Sequence, residues 1–274
     1  MLPGRERYGN GSRPNALKNS AEAQSSHKHA IRVGCAGWGI PRDAARCFSA
    51  EGHHLERYAR VLNCCEINST FYRSHKEATW ARWRELVPPE FRFSVKMPRA
   101  ITHEGALKCN SQALLSFLRQ IGALSEKLGA ILIQLPPGLE FAPLRAKAFL
   151  SMLRENYSGD IAWEPRHSTW FNDGASALLS QFGVARVAAD PAVVRAATQP
   201  GGLTDSTYFR LHGSPRRYYS EYSDTFLSKL TLRLDSLARA ARVWCIFDNT
   251  AGGFAIQNAL RLMAKLRQAG SEEP

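Results

Sequence analysis

Ala130-Ile131-Leu132-Ile133-Gln134-Leu135-Pro136 decides how this chain folds. Four apolar residues stand in unbroken succession, without the polar alternation of a strand that has one wet face. The run is too short for a buried helix, so it reads as a strand covered on both sides, as in a parallel sheet. Seven further segments of this kind begin near Ile31, Cys64, Phe91, Ile161, Val184, Thr207 and Val243. Between them run helical stripes: Leu55-Tyr58-Ala59-Leu62, Trp80-Trp83-Val87, Leu114-Leu115-Leu118-Ile121-Leu128, and Leu144-Ala148-Phe149. Leu178-Leu179-Phe182 stops at Gly183, and Phe226-Leu227-Leu230-Leu234-Leu237 and Ile256-Leu260-Met263-Leu266 complete the set. Strands that alternate with helices must return by crossover, which makes the sheet parallel. Eight such units over residues 31–270 fit the roughly 250 residues of a (β/α)8 TIM-type barrel, a single domain. An open doubly wound sheet is disfavoured, because Gly34-Cys35-Ala36-Gly37-Trp38-Gly39 is a poor match to GxGxxG. The unit after the sixth strand, Pro191 to Thr198, is the weakest helix.

The chain has 274 residues, 44% of them hydrophobic and 22% charged, which excludes wholesale disorder and a coiled coil. No apolar run reaches the ~18–20 residues of a membrane span. Residues 1–30 are rich in Ser, Asn and Gly and read as a disordered basic leader without a secretory h-region. Lys and Arg number 36 against 24 Asp and Glu, for a net charge of +12. Five bases and two acids fall in residues 1–30, so +3 belongs to the leader and +9 to the remainder. Such a surface favours anionic partners: a phosphorylated metabolite or, more weakly supported, nucleic acid. The six cysteines include no CxxC pair, and Cys35, Cys64, Cys65 and Cys245 sit in apolar runs. They read as buried free thiols of a cytoplasmic protein.

A barrel of this type works at the face where its strands end. Those ends carry Glu66 and Asn68, Lys96 with His103 beyond it, Gln134, Glu164 with Arg166 and His167, Asp190, Arg210 and His212, and Asp248 with Asn249. Charged side chains are rarely buried unless paired, so their repetition at one end of apolar strands points to a site. The expected acid/base and nucleophilic groups are Glu66, Lys96, Glu164, His212 and Asp248. Asn68, Tyr72, His103, Gln134, Arg166, His167, Trp170, Asp190, Arg210 and Asn249 are the expected substrate contacts. Lys96 suits either a fixed positive charge or imine chemistry. The loops after the last two strands offer Gly213, Arg216, Gly252 and Gly253, the materials of a phosphate cradle. The carboxylates and His212 are also ligand types for a divalent metal, although Lys96 and Arg166 compete for them; no metal ligand set or cofactor is assigned.

The runs Cys65-Glu66-Ile67-Asn68-Ser69-Thr70-Phe71-Tyr72, Phe93-Ser94-Val95-Lys96 and Gln134-Leu135-Pro136-Pro137 carry a resemblance, continued by Glu164-Pro165-Arg166-His167, Tyr208-Phe209-Arg210-Leu211-His212-Gly213 and Phe247-Asp248-Asn249-Thr250. In this order they are similar to the DUF72, or YecE-like, family. The resemblance covers about Ile31 to Leu266 and implies a TIM-type barrel but no established activity. Glu164-Pro165-Arg166-His167 and Gly37-Trp38-Gly39 depart from the family's more usual Glu-Phe-Arg-His and Gly-Trp-Ser. Function therefore rests on the residues. They point first to an enzyme using acid/base chemistry on a small anionic or sugar-like substrate, of isomerase, lyase or hydrolase type. Nucleic-acid binding or processing and a non-catalytic metabolite sensor are the alternatives.

Overall fold

All eight apolar segments form strands, and the amphipathic stretches between them pack outside as helices. The computed structural model describes residues 29–108, 111–203 and 205–271. The leader expected over 1–30 thus lies outside the described residues except for its last two, and so does Cys109. In chain order the main elements are β1 (Ile31–Ala36), α1 (His54–Ala59), β2 (Cys64–Ile67), α2 (Glu77–Glu85), β3 (Arg92–Lys96), α3 (Ser111–Gly122), β4 (Leu128–Gln134), α4 (Pro143–Asn156) and β5 (Asp160–Glu164). They continue with α5 (Asp173–Gln181), β6 (Ala185–Arg186), β7 (Ala188–Asp190), β8 (Gly201–Gly202), β9 (Ser206–Leu211), α6 (Asp224–Ala238), β10 (Arg242–Phe247) and α7 (Phe254–Ser271).

The sheet has ten strands in the order β7-β9-β10-β1-β2-β3-β4-β5-β6-β8, where eight were expected. The difference lies wholly in the sixth unit. There the chain changes partners: β6 pairs with β5, the Val187 amide donates to the Trp163 carbonyl (2.9 Å), and β7 then pairs with β9. Because β6 and β7 are consecutive, the two ends of the sheet meet at Val187 and the sheet nearly closes into a barrel. The tenth strand is β8, which pairs antiparallel with β6. Its Gly202 has φ 70°, and a Cβ there would sit 2.2 Å from the Val184 carbonyl oxygen, so only glycine fits. In place of a sixth helix there is one 3-10 turn, Arg195–Thr198.

Side chains alternate across each strand, and this sorts the core into two. Cys64, Ala130, Leu132, Ala162, Val187, Tyr208, Trp244 and Ile246 fill the barrel, while Cys65, Val95, Ile131, Ile133, Ile161 and Trp163 pack in the larger core that includes the helices. The four cysteines expected to be buried are buried and unbridged. α5 is followed by Gly183 at φ 61°, as its stripe predicted. Two stripes need correction. Leu128 opens β4 rather than closing α3. In α4 the buried face is Ala146-Phe149-Leu150-Leu153, itself spaced i, i+3, i+4, i+7; Leu144 lies in the first turn and is 86% exposed, and Ala148 also faces out. Among the described residues no helix is long and apolar enough to cross a membrane.

Candidate functional site

Continuing the inward-facing positions along the strands gives the site directly. Cys64 is followed by Glu66, Ser94 by Lys96, Leu132 by Gln134, Ala162 by Glu164, Tyr208 by Arg210 and Ile246 by Asp248. Apolar side chains fill the barrel, and the next residue two positions on is polar at its mouth. These polar side chains are almost wholly buried, and they stand in two tiers.

The deeper tier is organised by the Arg210 guanidinium. Nε and Nη2 grip the Glu66 carboxylate at 2.7–3.2 Å, Nη1 donates to Glu164 Oε2 at 3.2 Å, and Nη2 lies 3.1 Å from Asp248 Oδ2. Tyr208 donates from its hydroxyl to Glu66 Oε2 (3.0 Å) and lies 2.9 Å from Ser94 Oγ. His212 bridges the other two acids, with Nδ1 2.9 Å from Asp248 Oδ2 and Nε2 2.9 Å from Glu164 Oε1. Arg166 Nη2 also stands 3.1 Å from that Nε2. The nitrogen can donate to the carboxylate or accept from the guanidinium, but cannot do both at once. Burial alone would raise the Glu164 pKa, but Arg166, Arg210 and His212 hold it well below the usual carboxylate range. Asp248 is likewise lowered against its burial, by Arg210 and by its bond to His212. Burial works against the Arg210 charge, and the three carboxylates overcome it to raise that pKa further.

The upper tier lines an open cleft of about 340 Å³, with Lys96, Arg99, His103, Gln134, Arg166 and Arg217 as its polar wall and Phe71, Tyr72 and Tyr218 among its apolar ones. No carboxylate lines it. Arg166 Nε is 2.8 Å from Glu164 Oε1, yet its N–H does not aim at the oxygen, so this buried donor has no hydrogen-bond acceptor. Lys96 Nζ lies 4.1 Å over the Phe71 ring, and neither it nor Arg217 has an ion-pair partner among the described residues. Burial and then the nearby Arg210 push the Lys96 amine down to about 8. Burial, followed by Lys96, Arg99 and Arg166, lowers the His103 pKa, which favours the neutral imidazole at neutral pH. Gln134 joins the tiers, donating to Glu164 Oε2 at 2.9 Å.

The structure therefore gathers Glu66, Lys96, Gln134, Glu164, Arg166, Arg210, His212 and Asp248, with His103 and Tyr72 at the rim. Other expected contacts lie elsewhere. Trp170 is buried beside Trp163, donating to the Leu139 carbonyl, rather than at a rim. His167 accepts from the Thr169 amide and shapes the turn Ser168–Trp170. Asp190 accepts from the Tyr222 hydroxyl (2.7 Å), and Asn249 donates to the Ser220 carbonyl and to Asn258. Asn68 is half-buried outside the cleft wall, with its Oδ1 unpaired. The glycine corner is also separate from the cleft. The Gly213 amide donates to Tyr222, the Arg216 guanidinium covers the Tyr219 ring at 4.2 Å, a Cβ on Gly252 would strike the Tyr219 carbonyl, and Gly253 borders a different cavity. Arg99 of the cleft, and Tyr208 and Ser94 beneath it, were not singled out from sequence. Tyr208 and Ser94 precede Arg210 and Lys96 by two residues, so strand alternation carried their signal. Among the described residues no three His, Cys, Asp or Glu side chains converge as a metal ion requires.

The motifs that build both tiers are those in which the resemblance was read, and comparison agrees. The model of the family described as "Protein of unknown function DUF72" matches residues 32–274. UPF0759 protein YecE of Escherichia coli (strain K12) is 33% identical over 175 residues, 61% of each chain, so the match spans about three fifths of that relative. UPF0759 protein YunF of Bacillus subtilis (strain 168) is 23% identical over 270 residues, 86% of this chain and 94% of that one. Among solved structures, a DUF72 family protein from Thermotoga maritima is similar at TM-score 0.74 and 26% identity, covering 87% of this chain and 100% of the other. One from Enterococcus faecalis reaches TM-score 0.75 at 22% identity, with 87% and 96% covered. With its motifs in order, its fold shared and its length matched from residue 32 onward, this chain belongs to the DUF72 family.

Proposed function

We propose that this protein is an enzyme that binds a small anionic substrate, sugar-like or phosphorylated, in the mouth cleft and moves protons on it. The observation that carries this reading is a cleft wall with four cations and no carboxylate, in which Lys96 and Arg217 have no ion-pair partner among the described residues. Positive charges gathered on one wall of a cleft without a neutralising acid attract an anion, and a bound anion relieves their mutual repulsion. Arg166 and Lys96 hold the anionic group, Arg217 draws it in beside Arg99, which is paired with Glu104 at 3.0 Å, and the Gln134 amide pairs with a hydroxyl. Tyr72, Phe71 and Tyr218 offer ring faces to the apolar side of a sugar.

Proton transfer falls to the groups that reach the cleft. His103, kept neutral by its lowered pKa, is the base, and the Lys96 ammonium, drawn down to about 8 and so toward the working pH, is the acid. Glu164 and Asp248 are held as anions with the help of Arg210, which also grips Glu66, and contribute charge from behind. His212 is set by Asp248 and shares its outer nitrogen between Glu164 and Arg166, so it couples any movement of Arg166 to the acid beneath.

Two expected results test the reading. Isothermal titration with inorganic phosphate and with small carboxylates should show one site, weakened about 10- to 100-fold in Arg166→Ala, the loss of a charge-assisted bond. Affinity should also fall as pH rises through about 8, where Lys96 gives up its charge, and Lys96→Met should abolish that dependence. A pH-independent affinity that survives Arg166→Ala would sink the proposal. Binding without turnover across a metabolite library would favour the sensor.

A further inference from the structure

Two lysines of the described chain are almost completely buried, and the contrast between them is informative. Lys127, 5% exposed, donates from Nζ to the Pro88 carbonyl at 2.6 Å. Lys96, 6% exposed, has no acceptor for its Nζ among the described residues and rests against the face of Phe71. Its Nζ meets solvent only through the cleft, so burial weakens the ammonium against the pull of Phe71 and the carboxylates below, and a working fraction of the amine is neutral near pH 8 while the rest keeps its charge. The Lys96 backbone is fixed, because its carbonyl accepts from Thr70 Oγ1 at 2.6 Å and β3 is held between β2 and β4. The amine therefore stands at a set point in the wall of a cleft whose other cations, Arg166, Arg99 and Arg217, suit an anionic group.

From this placement we infer that Lys96 is a nucleophile that condenses with the carbonyl of a small anionic aldehyde or ketone, such as a 2-oxo acid or a phosphorylated sugar in its open form. The inference rests on the proposed anion-binding reading and names its substrate class. The unprotonated Nζ attacks the carbonyl carbon, forming the C–N bond while the C=O π pair passes to oxygen; oxygen takes up a proton and the nitrogen gives up one of its two. The resulting carbinolamine releases its hydroxyl, with a second proton, as water. The nitrogen pair forms C=N as the remaining N–H proton leaves, so amine and carbonyl give imine and water with no oxidant or reductant. His103, on the same wall and disposed to be neutral, can take and return these protons. Arg166 holds the carboxylate or phosphate that keeps the carbonyl in place. An amine with the lowered pKa of Lys96 is unprotonated about three hundredfold more often at neutral pH than an exposed lysine.

The test is reductive trapping on the intact protein. Incubation with glyoxylate or pyruvate and sodium borohydride, followed by peptide mapping, should place one reduced adduct on Lys96. The rate of labelling should level off above about pH 8, whereas labelling of exposed lysines continues to climb. Acetaldehyde, which has no anionic group, should label Lys96 at least about tenfold more slowly, the loss of one charge-assisted contact. Lys96→Arg keeps the positive charge and should bind phosphate while forming no adduct. Adducts spread over surface lysines, or an adduct on Lys127 but not Lys96, would overturn the inference. Should phosphate still bind to the wild-type protein in that case, the anion-binding reading stands alone; if phosphate does not bind, both fall.

Discussion

Arg210→Met should lower stability more than any other substitution of the site. The guanidinium is fully buried and is shared by Glu66, Glu164 and Asp248. Its removal leaves three carboxylates facing one another with too little compensation, and breaking even one buried pair typically costs about 3–5 kcal/mol. In a domain of this size that is a fall of roughly 10 °C in melting temperature. The pH dependence identifies the cause. In the wild type the pKa values of Glu164 and Asp248 are lowered, so their stabilising contribution is complete above the unfolded carboxylate range and is lost as pH falls through the lowered values. Without Arg210 both carboxyls lose a lowering contribution and their pKa values move up, Asp248 most because Arg210 is its largest lowering partner, so the variant falls further behind the wild type as pH rises through the carboxylate range. Denaturation between about pH 4 and pH 7 should show a gap that widens with pH. A gap of constant size would mean that Arg210 acts by packing alone.

Gly34→Ala should have the second largest effect. Gly34 pairs with Cys64 between β1 and β2, and a Cβ on it would lie 2.0 Å from the Cys64 carbonyl oxygen and 2.8 Å from the carbonyl carbon. That neighbour is strand backbone and cannot rotate away, so the strands must separate. Overpacking of this kind costs about 3 kcal/mol or more. Because β2 delivers Glu66 two residues later, the separation should also loosen the grip of Arg210 and reduce phosphate affinity in the cleft. Urea unfolding and titration calorimetry would record both; an unchanged midpoint would show slack between β1 and β2.

The strands and the polar residues at their ends were legible in the sequence because both depend on short-range regularities: a two-residue period and an apolar run that ends in charge. Height along the barrel axis follows from that count. Depth does not. Arg210 meets Glu66 across 144 positions of sequence, and only the closed sheet shows that Glu66 is sealed below while Lys96 opens upward. Trp170 was misplaced for a related reason, since an aromatic residue just past a strand end suits a rim as well as a core. The break of the sixth strand into Ala185–Arg186 and Ala188–Asp190 and the added Gly201–Gly202 were not legible, because pieces of two or three residues are too short for a periodic signal. The glycine corner has a composition that suits phosphate, but Tyr219 and Tyr222 already occupy the space and the amide that such a group would use.

The division of the mouth into two tiers separates what must stay fixed from what is free to diverge. The buried charges are delivered by strands or by the residue just past a strand end and neutralise one another, whereas much of the open wall comes from the segments farther on, Phe71–Tyr72, Arg99–His103 and Arg217–Tyr218. New ligand preferences can therefore arise by exchanging a few loop residues over an intact floor, for a protein engineer as much as for natural selection.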